Sequence, residues 1–555
     1  MGVLRVLSAL AGAIRMAGRG GPGGSGRSPS QDETPLRRIP LALDDVEAEL
    51  KADFGDSNSD VVMRRVDLWT APEVHGLLFY IEGLVDRATI NSVGLKPLMH
   101  GERCPAVDPI PARGDVLADI LISHLVPSGQ ISAVDDFNKV IEKVLTGEAA
   151  IFIEGCPKAV VFEAKGWEHR GVDEPSTEKT LRGPREGFTE VLRVNTALVR
   201  RRLKTPHLRF DGTTVGVRSK TDMVVVYIKG ITDPELVEQV KQRIACINVD
   251  IVGDSGIIEE FIEDRPDSPF PQLQYTERPD RFCAGLSEGL VGVLVDSSPF
   301  ALMAPANLAS FFQSAEDYYD RYPFAGPLRA LRYVAGALAL VFPALYVGVA
   351  TYHQEMLPTS LALAIAGSHL PVPFPTLVEA LLMELALELI RESAVRMPDP
   401  VGQTMGFVGA LLLGDAAVAA GLVSPIMVIV VAVTGLASFT IPHYSVGLAV
   451  RLLRFGLLLL AAGMGLFGLA AGVVVIVLHL SALTSLGVPY LQPMLHSQDI
   501  FKDILWRSPM FTHRYRPSFA RPVDRIRQGR SSREWASQRQ PEDWGRDGGG
   551  DGESR

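Results

Sequence analysis

The sequence predicts a multi-domain membrane protein of the α+β/α class, in which two cytosolic α/β lobes precede a helical transmembrane domain. Residues 455–478 contain no charged side chain, and about 24 helical residues at about 1.5 Å each cross a hydrocarbon core of about 30 Å. Before residue 311, short apolar runs alternate with helical patterns, which is typical of α/β domains. The 555 residues also exceed the size at which a single core stops growing.

Four membrane spans are expected, at residues 333–352, 401–422, 423–442 and 455–478. Asp415 is the one charged residue in these four windows. The alternative is a set of buried helices in a large soluble protein, and three such windows in one block argue against it. Residues 371–400 are left open, because the sequence does not decide whether they cross. Four crossings place both ends of the membrane domain on the same side.

Composition excludes some function classes. The formal net charge of −10 is the opposite of the positive charge that is typical of nucleic-acid-binding proteins. Four cysteines, Cys104, Cys156, Cys246 and Cys283, precede the membrane block without CxxC or Cys/His spacing. We interpret them as reduced thiols of a cytosolic domain and expect no metal and no cofactor.

The chain begins with a disordered tail, residues 1–40, followed by lobe 1 at residues 41–165. Strands are predicted at 74–81 and 149–153, with a hairpin back into 159–162. Apolar residues at helical spacing predict a helix over 134–145.

A charged linker is predicted at residues 166–208, where Gly183, Pro184 and Gly187 interrupt the pattern. Its charges could meet acidic side chains or anionic lipid heads, although a solvated helix face is the more frequent origin of such a cluster. The "RGPREG" run lacks the pattern of a nucleotide-binding P-loop. The assembly candidates of this linker are Glu174, Arg182, Arg185, Arg200, Arg201 and Arg202.

Lobe 2 is expected at residues 209–310. A strand over 223–228 leads to a helix with Asp233 as N-cap and Pro234 at its first position. Residues 247–252 are expected to return as a parallel strand, which completes a βαβ unit. A helix over 282–286 and strands over 289–295 and 300–303 follow.

An interfacial segment, residues 311–328, is expected to lead into the transmembrane domain at 329–490. Its aromatic residues Tyr318, Tyr319, Tyr322 and Phe324 are suited to the headgroup level, and Arg329 and Arg332 favour the cytosolic side for this end. Residues 491–555 form a basic, mostly disordered tail, retained on the same side.

Several long motifs occur together: "EPSTEKTLRGPREGFTEVLRVNTALVRRR", "SPFPQLQYTERPDR", "EDYYDRYPF" and "RMPDPVGQTMGFVGALLLGDAAVAAGLVSP". In this order, over roughly residues 41–509, they closely resemble the A subunits of GerA-type spore germinant receptors, and SpoVAF-like relatives share much of the pattern. The resemblance implies a spore inner-membrane protein with its lobes toward the core. It also implies a permease-like B subunit and a lipoprotein C subunit as partners, and self-association into a ring that conducts cations.

Polar residues at membrane depth are the candidate pore-lining groups. A helix over residues 376–400 places Glu384 and Glu388 on one face, where a ring of copies would form acidic rings. In the alternative, this helix lies at the interface, its charges are paired internally and it selects nothing. Gln403, Asp415, Thr434 and Ser438 are either pore lining or hydrogen-bonding contacts between helices.

Two other functions stay open. A SpoVAF-like auxiliary channel would act without its own B and C partners. A secondary transporter would show two matched broken helices, and only one break region is evident. An enzyme is not expected, because neither lobe shows a nucleophile, base or metal constellation.

Overall fold

The computed structural model describes residues 37–56, 58–67, 75–96, 131–166, 174–175, 178, 180–396, 414–492 and 503–529. The protein has four parts. Lobe 1 comprises residues 37–166, lobe 2 residues 180–310, the helical bundle residues 322–482 and the C-terminal segment residues 503–527.

Lobe 1 contains a five-stranded antiparallel sheet whose two faces are both buried. Alternate residues of each strand, such as Phe152 and Ile151, face opposite cores. Helices α1 (Leu43–Phe54) and α2 (Phe137–Leu145) cover one face. Residues 85–95, with short helical turns at Arg87–Thr89 and Ile90–Leu95, cover the other. The elements are α1 Leu43–Phe54, β1 Val61–Asp67, β2 His75–Ile81, β3 Ile131–Val134, α2 Phe137–Leu145, β4 Glu148–Ile153 and β5 Ala159–Glu163, with strand order β1-β2-β4-β5-β3.

The predicted strands and hairpin of lobe 1 agree with the structure, since β4 pairs antiparallel with β5. The helix starts later than expected. Asp136 caps α2 by accepting a hydrogen bond from the Asn138 amide at 3.1 Å, and Val134 belongs to β3.

Lobe 2 repeats the strand order of lobe 1 in a second antiparallel sheet, β6-β7-β9-β10-β8. One face packs on α3 (Leu192–Arg202) and α6 (Pro279–Glu288). The other packs on α4 (Pro234–Ala245) and α5 (Ser255–Ile262). The elements are α3 Leu192–Arg202, β6 Leu208–Val215, β7 Thr221–Ile228, α4 Pro234–Ala245, α5 Ser255–Ile262, β8 Gln274–Thr276, α6 Pro279–Glu288, β9 Val291–Val295 and β10 Ala301–Ala304.

The expected βαβ unit is wrong. The Asp233 cap and Pro234 do start α4, but residues 247–252 form no strand. Instead this segment is irregular, and its residues Ile247, Val249 and Val252 belong to the core that α4 and β7 form. The strand that pairs next to β7 is β9, and it runs antiparallel.

The helical bundle begins after a 3₁₀ turn at Leu308–Phe311 and a short helix at Glu316–Tyr319. Two of its helices, α7 (Tyr322–Tyr352) and α11 (Tyr444–Ala482), are long and apolar enough to cross a membrane, and α10 (Pro425–Phe439) is a shorter apolar helix. Residues 414–419 are also helical. The bundle helices are α7 Tyr322–Tyr352, α8 Thr359–His369, α9 Thr376–Arg396, α10 Pro425–Phe439 and α11 Tyr444–Ala482.

A single span over residues 455–478 is wrong, because α11 reverses direction at Gly465, where φ is 61° and ψ is −142°. A Cβ atom on Gly468 would collide with the carbonyl oxygen of Leu460, and one on Gly472 would lie 2.5 Å from Leu457. In a straight helix residues 457 and 472 would be about 22 Å apart. The element is therefore a hairpin of two helical arms, residues 444–464 and 466–482.

Both ends of the hairpin return to lobe 2. The His443 ring lies 6.0 Å from that of Tyr275, and Ser268 Oγ lies 2.8 Å from His479 Nε2. The tip meets the other end of α7, where the Tyr352 hydroxyl donates to the Ala462 carbonyl at 3.0 Å. The hairpin and α7 thus run side by side over the length of the bundle. A two-stranded ribbon, β11 Thr484–Ser485 with β12 Val488–Pro489, follows the hairpin.

The C-terminal segment folds back onto lobe 2. Ala520 is buried in the core formed by α3, α6 and the sheet. The Val523 amide donates to the Ile231 carbonyl at 2.9 Å, and Arg516 Nε donates to the Ser287 carbonyl at 2.8 Å. Two 3₁₀ turns, Met510–Thr512 and Ser518–Ala520, shape it. These residues are therefore part of the folded lobe, although the sequence predicted a mostly disordered tail.

Candidate functional site

Helix α9 carries the acidic candidates, and the structure places it inside the helical bundle. Ala380 is buried against Ala344 and Val347 of α7, Met427 of α10 and the first arm of α11. The break that precedes α9, residues 371–375 with three prolines, allows the chain to turn into this position, since proline cannot continue a helix.

Glu384 forms an ion pair inside the bundle. Its Oε2 lies 2.9 Å from Arg454 Nη2 on the first arm of α11, and the two side chains are 0% and 1% exposed. Arg454 Nε and Nη1 make no hydrogen bond to any residue that the structure describes. A charge buried in this way is costly unless a partner of opposite charge compensates it, so this pair holds α9 against α11.

Glu388 lies one turn further along and joins three helices. Its Oε1 accepts from Arg451 Nη1 at 2.6 Å, and its Oε2 accepts from Arg391 Nη1 at 2.9 Å. Arg391 Nη2 also donates to Ser438 Oγ of α10 at 3.0 Å. Together with Glu384 and Arg454, these residues form the bundle cluster, in which three arginines face two glutamates.

Thr434 and Asp415 have different surroundings. The Thr434 hydroxyl is fully buried and donates to the Val430 carbonyl of its own helix at 2.7 Å. Asp415 is exposed in the 414–419 helix. Gln403, and most of the predicted span 401–422, lie outside the described residues.

A second polar group lies at the far end of the bundle, near the tip of the hairpin. Glu379 Oε1 accepts from the backbone amide of Ser424, the N-cap of α10. Its Oε2 lies 3.3 Å from His369 Nδ1, and His369 Nε2 lies 3.2 Å from the Tyr346 hydroxyl. These contacts connect α7, α8, α9 and α10, and no sequence pattern pointed to His369 or Tyr346.

The arginines of the linker separate into two groups. Arg200 is 0% exposed and forms a two-pronged ion pair with Asp60 of lobe 1, with Nε and Nη2 at 2.9 and 3.0 Å from the carboxylate oxygens. The interpretation of this cluster as a solvated face is therefore wrong for Arg200. Burial raises the pKa of Asp60, while the Arg200 charge opposes that shift. Because Asp60 belongs to lobe 1 and Arg200 to lobe 2, this buried pair joins the two lobes.

The remaining linker candidates are closer to solvent. Arg201 and Arg202 both pair with Glu186. Arg185 Nε lies 3.8 Å from Glu174 Oε1, and Arg182 is exposed. Surface pairs of this kind contribute little stability, so these side chains are available to a partner.

The junction between lobe 2 and the bundle holds a buried network that the sequence analysis did not predict. Arg329 pairs with Asp317 at 3.0 Å and with Asp503 at 2.8 Å, and Arg332 also reaches Asp317. The Tyr318 hydroxyl donates to Asp503 at 2.9 Å. Burial and the nearby Asp503 carboxylate raise the pKa of Tyr318.

The headgroup positions predicted for Tyr318 and Tyr319 are therefore wrong, since their hydroxyls donate to Asp503 and Asp280 within the protein. Arg329 is likewise an internal ion-pair partner instead of a free charge at the membrane surface. Nothing in the sequence pointed to Asp503, which lies 174 residues from Arg329.

No group of three or more His, Cys, Asp or Glu side chains that could hold a metal ion occurs among the described residues. The chemistry of the bundle cluster is that of charge pairing at low dielectric. Fold and site together define a protein with two antiparallel α/β lobes and an apolar helical bundle that contains buried ion pairs.

Residues 48–519 match the family model described as "Bacillus/Clostridium GerA spore germination protein". The chain belongs to this GerA family of spore germination proteins, which is not a known class of enzymes. In Bacillus subtilis (strain 168), "Spore germination protein KA" is 41% identical over 488 residues, covering 88% of each chain. "Uncharacterized membrane protein YfkQ" of the same organism is 44% identical and covers 83% of this chain and 88% of its own.

Two further similarities were found. "Stage V sporulation protein AF" of Bacillus subtilis (strain 168) is 34% identical, covering 82% of this chain and 90% of its own. The crystal structure of the N-terminal domain of the A subunit of the Bacillus megaterium spore germinant receptor GerK3 is 26% identical. It covers 49% of this chain and 97% of that domain, with a TM-score of 0.38.

Proposed function

We propose that this protein is the A subunit of a nutrient germinant receptor and that several copies assemble into a cation channel in the spore inner membrane. The observation that carries the proposal is the pairing of an apolar outer surface with a charged interior in the same bundle. Outward-facing side chains such as Leu436, Phe439 and Phe467 are each 70% exposed, whereas Glu384 and Arg454 are fully enclosed. This arrangement suits a protein whose surroundings are lipid.

The hairpin supports a multi-pass arrangement. Helix α7 leads away from lobe 2, the first arm of α11 does the same, and the second arm returns. Helices α9 and α10 run toward lobe 2, because Glu379 contacts Ser424 near the tip of the bundle while Arg391 contacts Ser438 nearer the lobe. The expected span at residues 401–422, most of which lies outside the described residues, would then bring the number of crossings to six, with the lobes and the C-terminal segment in the cytosol or spore core.

Among the lining candidates, the geometry favours Asp415. Glu384 and Glu388 are each compensated by arginines of the same chain, and the bundle cluster carries one more arginine than glutamate. Such a cluster positions helices and does not by itself concentrate cations. Asp415 is an exposed carboxylate on an apolar helix, where a neighbouring copy could bring it to a central water-filled route.

The partners proposed are a permease-like B subunit, a lipoprotein C subunit and further copies of this chain. The exposed linker residues Arg182 and Arg185 are candidate contacts to them. Its similarity to stage V sporulation protein AF favours a second candidate function, an auxiliary germination channel without dedicated B and C subunits. Genes for both companions beside this one would support the receptor.

The test is potassium release from liposomes that contain the purified chain, with and without its companions. Cysteine is introduced at position 415, and at position 434 as the matched variant, because Thr434 is buried, uncharged and similar in size to cysteine. We expect a thiol reagent to block flux through the Asp415→Cys protein and to leave the Thr434→Cys protein unaffected. A chain that stays monomeric in lipid and passes no ions under either condition would contradict the channel.

A further inference from the structure

A cleft of about 850 Å³ lies between lobe 2 and the C-terminal segment. This volume is within the range of small-molecule sites, which measure about 300–1,000 Å³. The cleft is remote from the bundle cluster and plays no part in the proposed channel. Its lobe 2 wall is formed by α6 and by the residues around β8 and β10, and its other wall is formed by residues 503–527.

The walls of the cleft are fixed on both sides. Gly289 at the end of α6 is so close to Pro522 that a Cβ atom there would lie 3.2 Å from the proline side chain. The hydrogen bonds of Arg516 and Val523 to lobe 2 hold the segment at two further points. A binding site between these walls is therefore preformed, which lowers the entropic cost of binding.

The deep part of the cleft combines apolar surface with two buried amides. Leu290 and Met303, which are 3% and 2% exposed, supply apolar side chains. Gln274 is 4% exposed, and its side chain makes no hydrogen bond within the part of the chain that the structure describes. Asn307 uses its Oδ1 to accept from the Ser310 amide at 3.0 Å, which leaves its Nδ2 donor for a ligand. A buried amide of this kind is costly unless it is paired.

The cleft has a surplus of positive charge. Six arginines line it, and three of these have carboxylate partners: Arg281 with Glu178, Arg516 with Asp524 and Arg527 with Glu288. The lining acids Asp280 and Asp503 are committed to Arg278 and Arg329. Three arginines, Arg514, Arg521 and Arg525, have no carboxylate partner among the described residues.

We propose that this cleft binds a small organic anion with an apolar body and a phosphate or carboxylate group. The apolar body would lie against Met303 and Leu290 with Gln274 and Asn307 as hydrogen-bond donors. The acidic group would lie among Arg514, Arg521 and Arg525, since guanidinium groups pair with such anions in two-pronged geometry.

The test is calorimetric titration of the full-length protein in phosphatidylcholine nanodiscs. Phenyl phosphate is the probe, because it joins an apolar ring to a dianion. Inorganic phosphate and benzyl alcohol are the matched probes that lack one feature each. We expect phenyl phosphate to bind at least about tenfold more tightly than either, because each loses one of the two contacts.

Two variants locate the site. Replacement of the three arginines, R514Q with R521Q and R525Q, is expected to weaken phenyl phosphate binding by at least about tenfold. The matched control R64Q with R218Q and R265Q removes the same charge from exposed positions elsewhere and is expected to leave affinity unchanged. Ala284→Phe, on an exposed face of α6, fills the cleft without changing its charge and is expected to abolish binding.

Equal loss in the matched control would overturn the proposal, as would unchanged binding in Ala284→Phe or no binding of phenyl phosphate to the native chain. Repeating the titration in phosphatidylglycerol nanodiscs distinguishes a soluble anion from a lipid headgroup. Competition there would overturn the soluble ligand in favour of the headgroup.

Discussion

Fully enclosed arginines are the most unusual residues of this protein. Arg200, Arg278, Arg329 and Arg454 are among its largest buried side chains, and each pairs with a carboxylate. Removal of one partner from such a pair leaves the other charge buried and uncompensated, which is far more costly than the loss of a surface pair. These arginines therefore connect the parts of the molecule at specific points.

The Arg200 pair provides a test at the residue scale. Arg200→Ala leaves Asp60 without a counter-charge and is expected to lower the free energy of unfolding by about 3–5 kcal/mol. The readout is the thermal midpoint of the purified full-length chain. Arg201→Ala, in which a partly exposed side chain is lost, is the control and should cost below about 1 kcal/mol. Recovery of the midpoint by R200M combined with D60L would identify the buried charge as the cause, and failure to recover would contradict it.

Glu259 of α5 makes a pH-dependent contribution. Burial, together with the Glu263, Asp254 and Glu260 carboxylates, raises its pKa from 4.5 to about 8. Between these values the folded protein keeps a proton that the unfolded chain releases, so the free energy of unfolding falls as pH rises through this window.

Glu259→Gln removes the charge that this carboxylate acquires. We therefore expect the variant to gain thermal stability over the native chain as the pH is raised from 5 to 8. Glu260→Gln, an exposed position on the same helix, is the comparison and should gain less. Parallel midpoint curves for the native chain and Glu259→Gln would show that the carboxyl group titrates normally.

The reversal of α11 is the main feature at the scale of elements. Gly465 has a positive φ, and a Cβ atom there would lie 2.7 Å from His353 Cε1 and 3.0 Å from Tyr352 Cβ. Side-chain substitution is therefore opposed by both backbone strain and crowding. The turn depends on this one glycine and on the close approach of the end of α7.

Gly465→Ala is expected to destabilise the bundle by about 1–3 kcal/mol. Gly463→Ala is the matched control, because a Cβ atom at position 463 meets nothing within 4 Å and this glycine has an ordinary φ. Thermal unfolding in detergent compares the two variants. Equal midpoints would mean that α11 is continuous through this point.

The elements also show what the sequence could and could not predict. Short apolar runs and the Asp233–Pro234 cap identified strands and a helix correctly, because these signals are local. The βαβ unit failed because the apolar run at 247–252 packs without pairing, and pairing is a property of the whole sheet. The hairpin was missed because apolar composition does not distinguish one long helix from two antiparallel arms.

At the site, the sequence identified the acidic residues of α9, and the alternative that this helix pairs its charges internally agrees with the Glu388–Arg391 pair. The partners on α11 were not identified. Glu384 and Glu388 stood out by charge in an apolar run. Their partners Arg451 and Arg454 lie more than 60 residues away, and only tertiary packing brings them together.

The number of membrane crossings is a property of the whole molecule. In a background without native cysteines, Gly463→Cys at the hairpin tip should react with an impermeant thiol reagent from the side opposite the lobes. Tyr444→Cys and Ser481→Cys, at the two ends of the hairpin, should react only from the side of the lobes. The assay uses sealed vesicles of known orientation. Labelling of all three positions from one side would rule out a membrane-spanning hairpin.

The contact between the C-terminal segment and lobe 2 has a consequence for biosynthesis. Phe519 and Ala520 complete a core whose other members end at Met303, so more than 200 residues must be translated before this lobe can close. The intervening residues include every helix of the bundle. Lobe 2 can therefore close completely only after the whole helical bundle has been translated. In a chain released before residue 519, the apolar surface that Phe519 and Ala520 would cover stays exposed to chaperones and proteases.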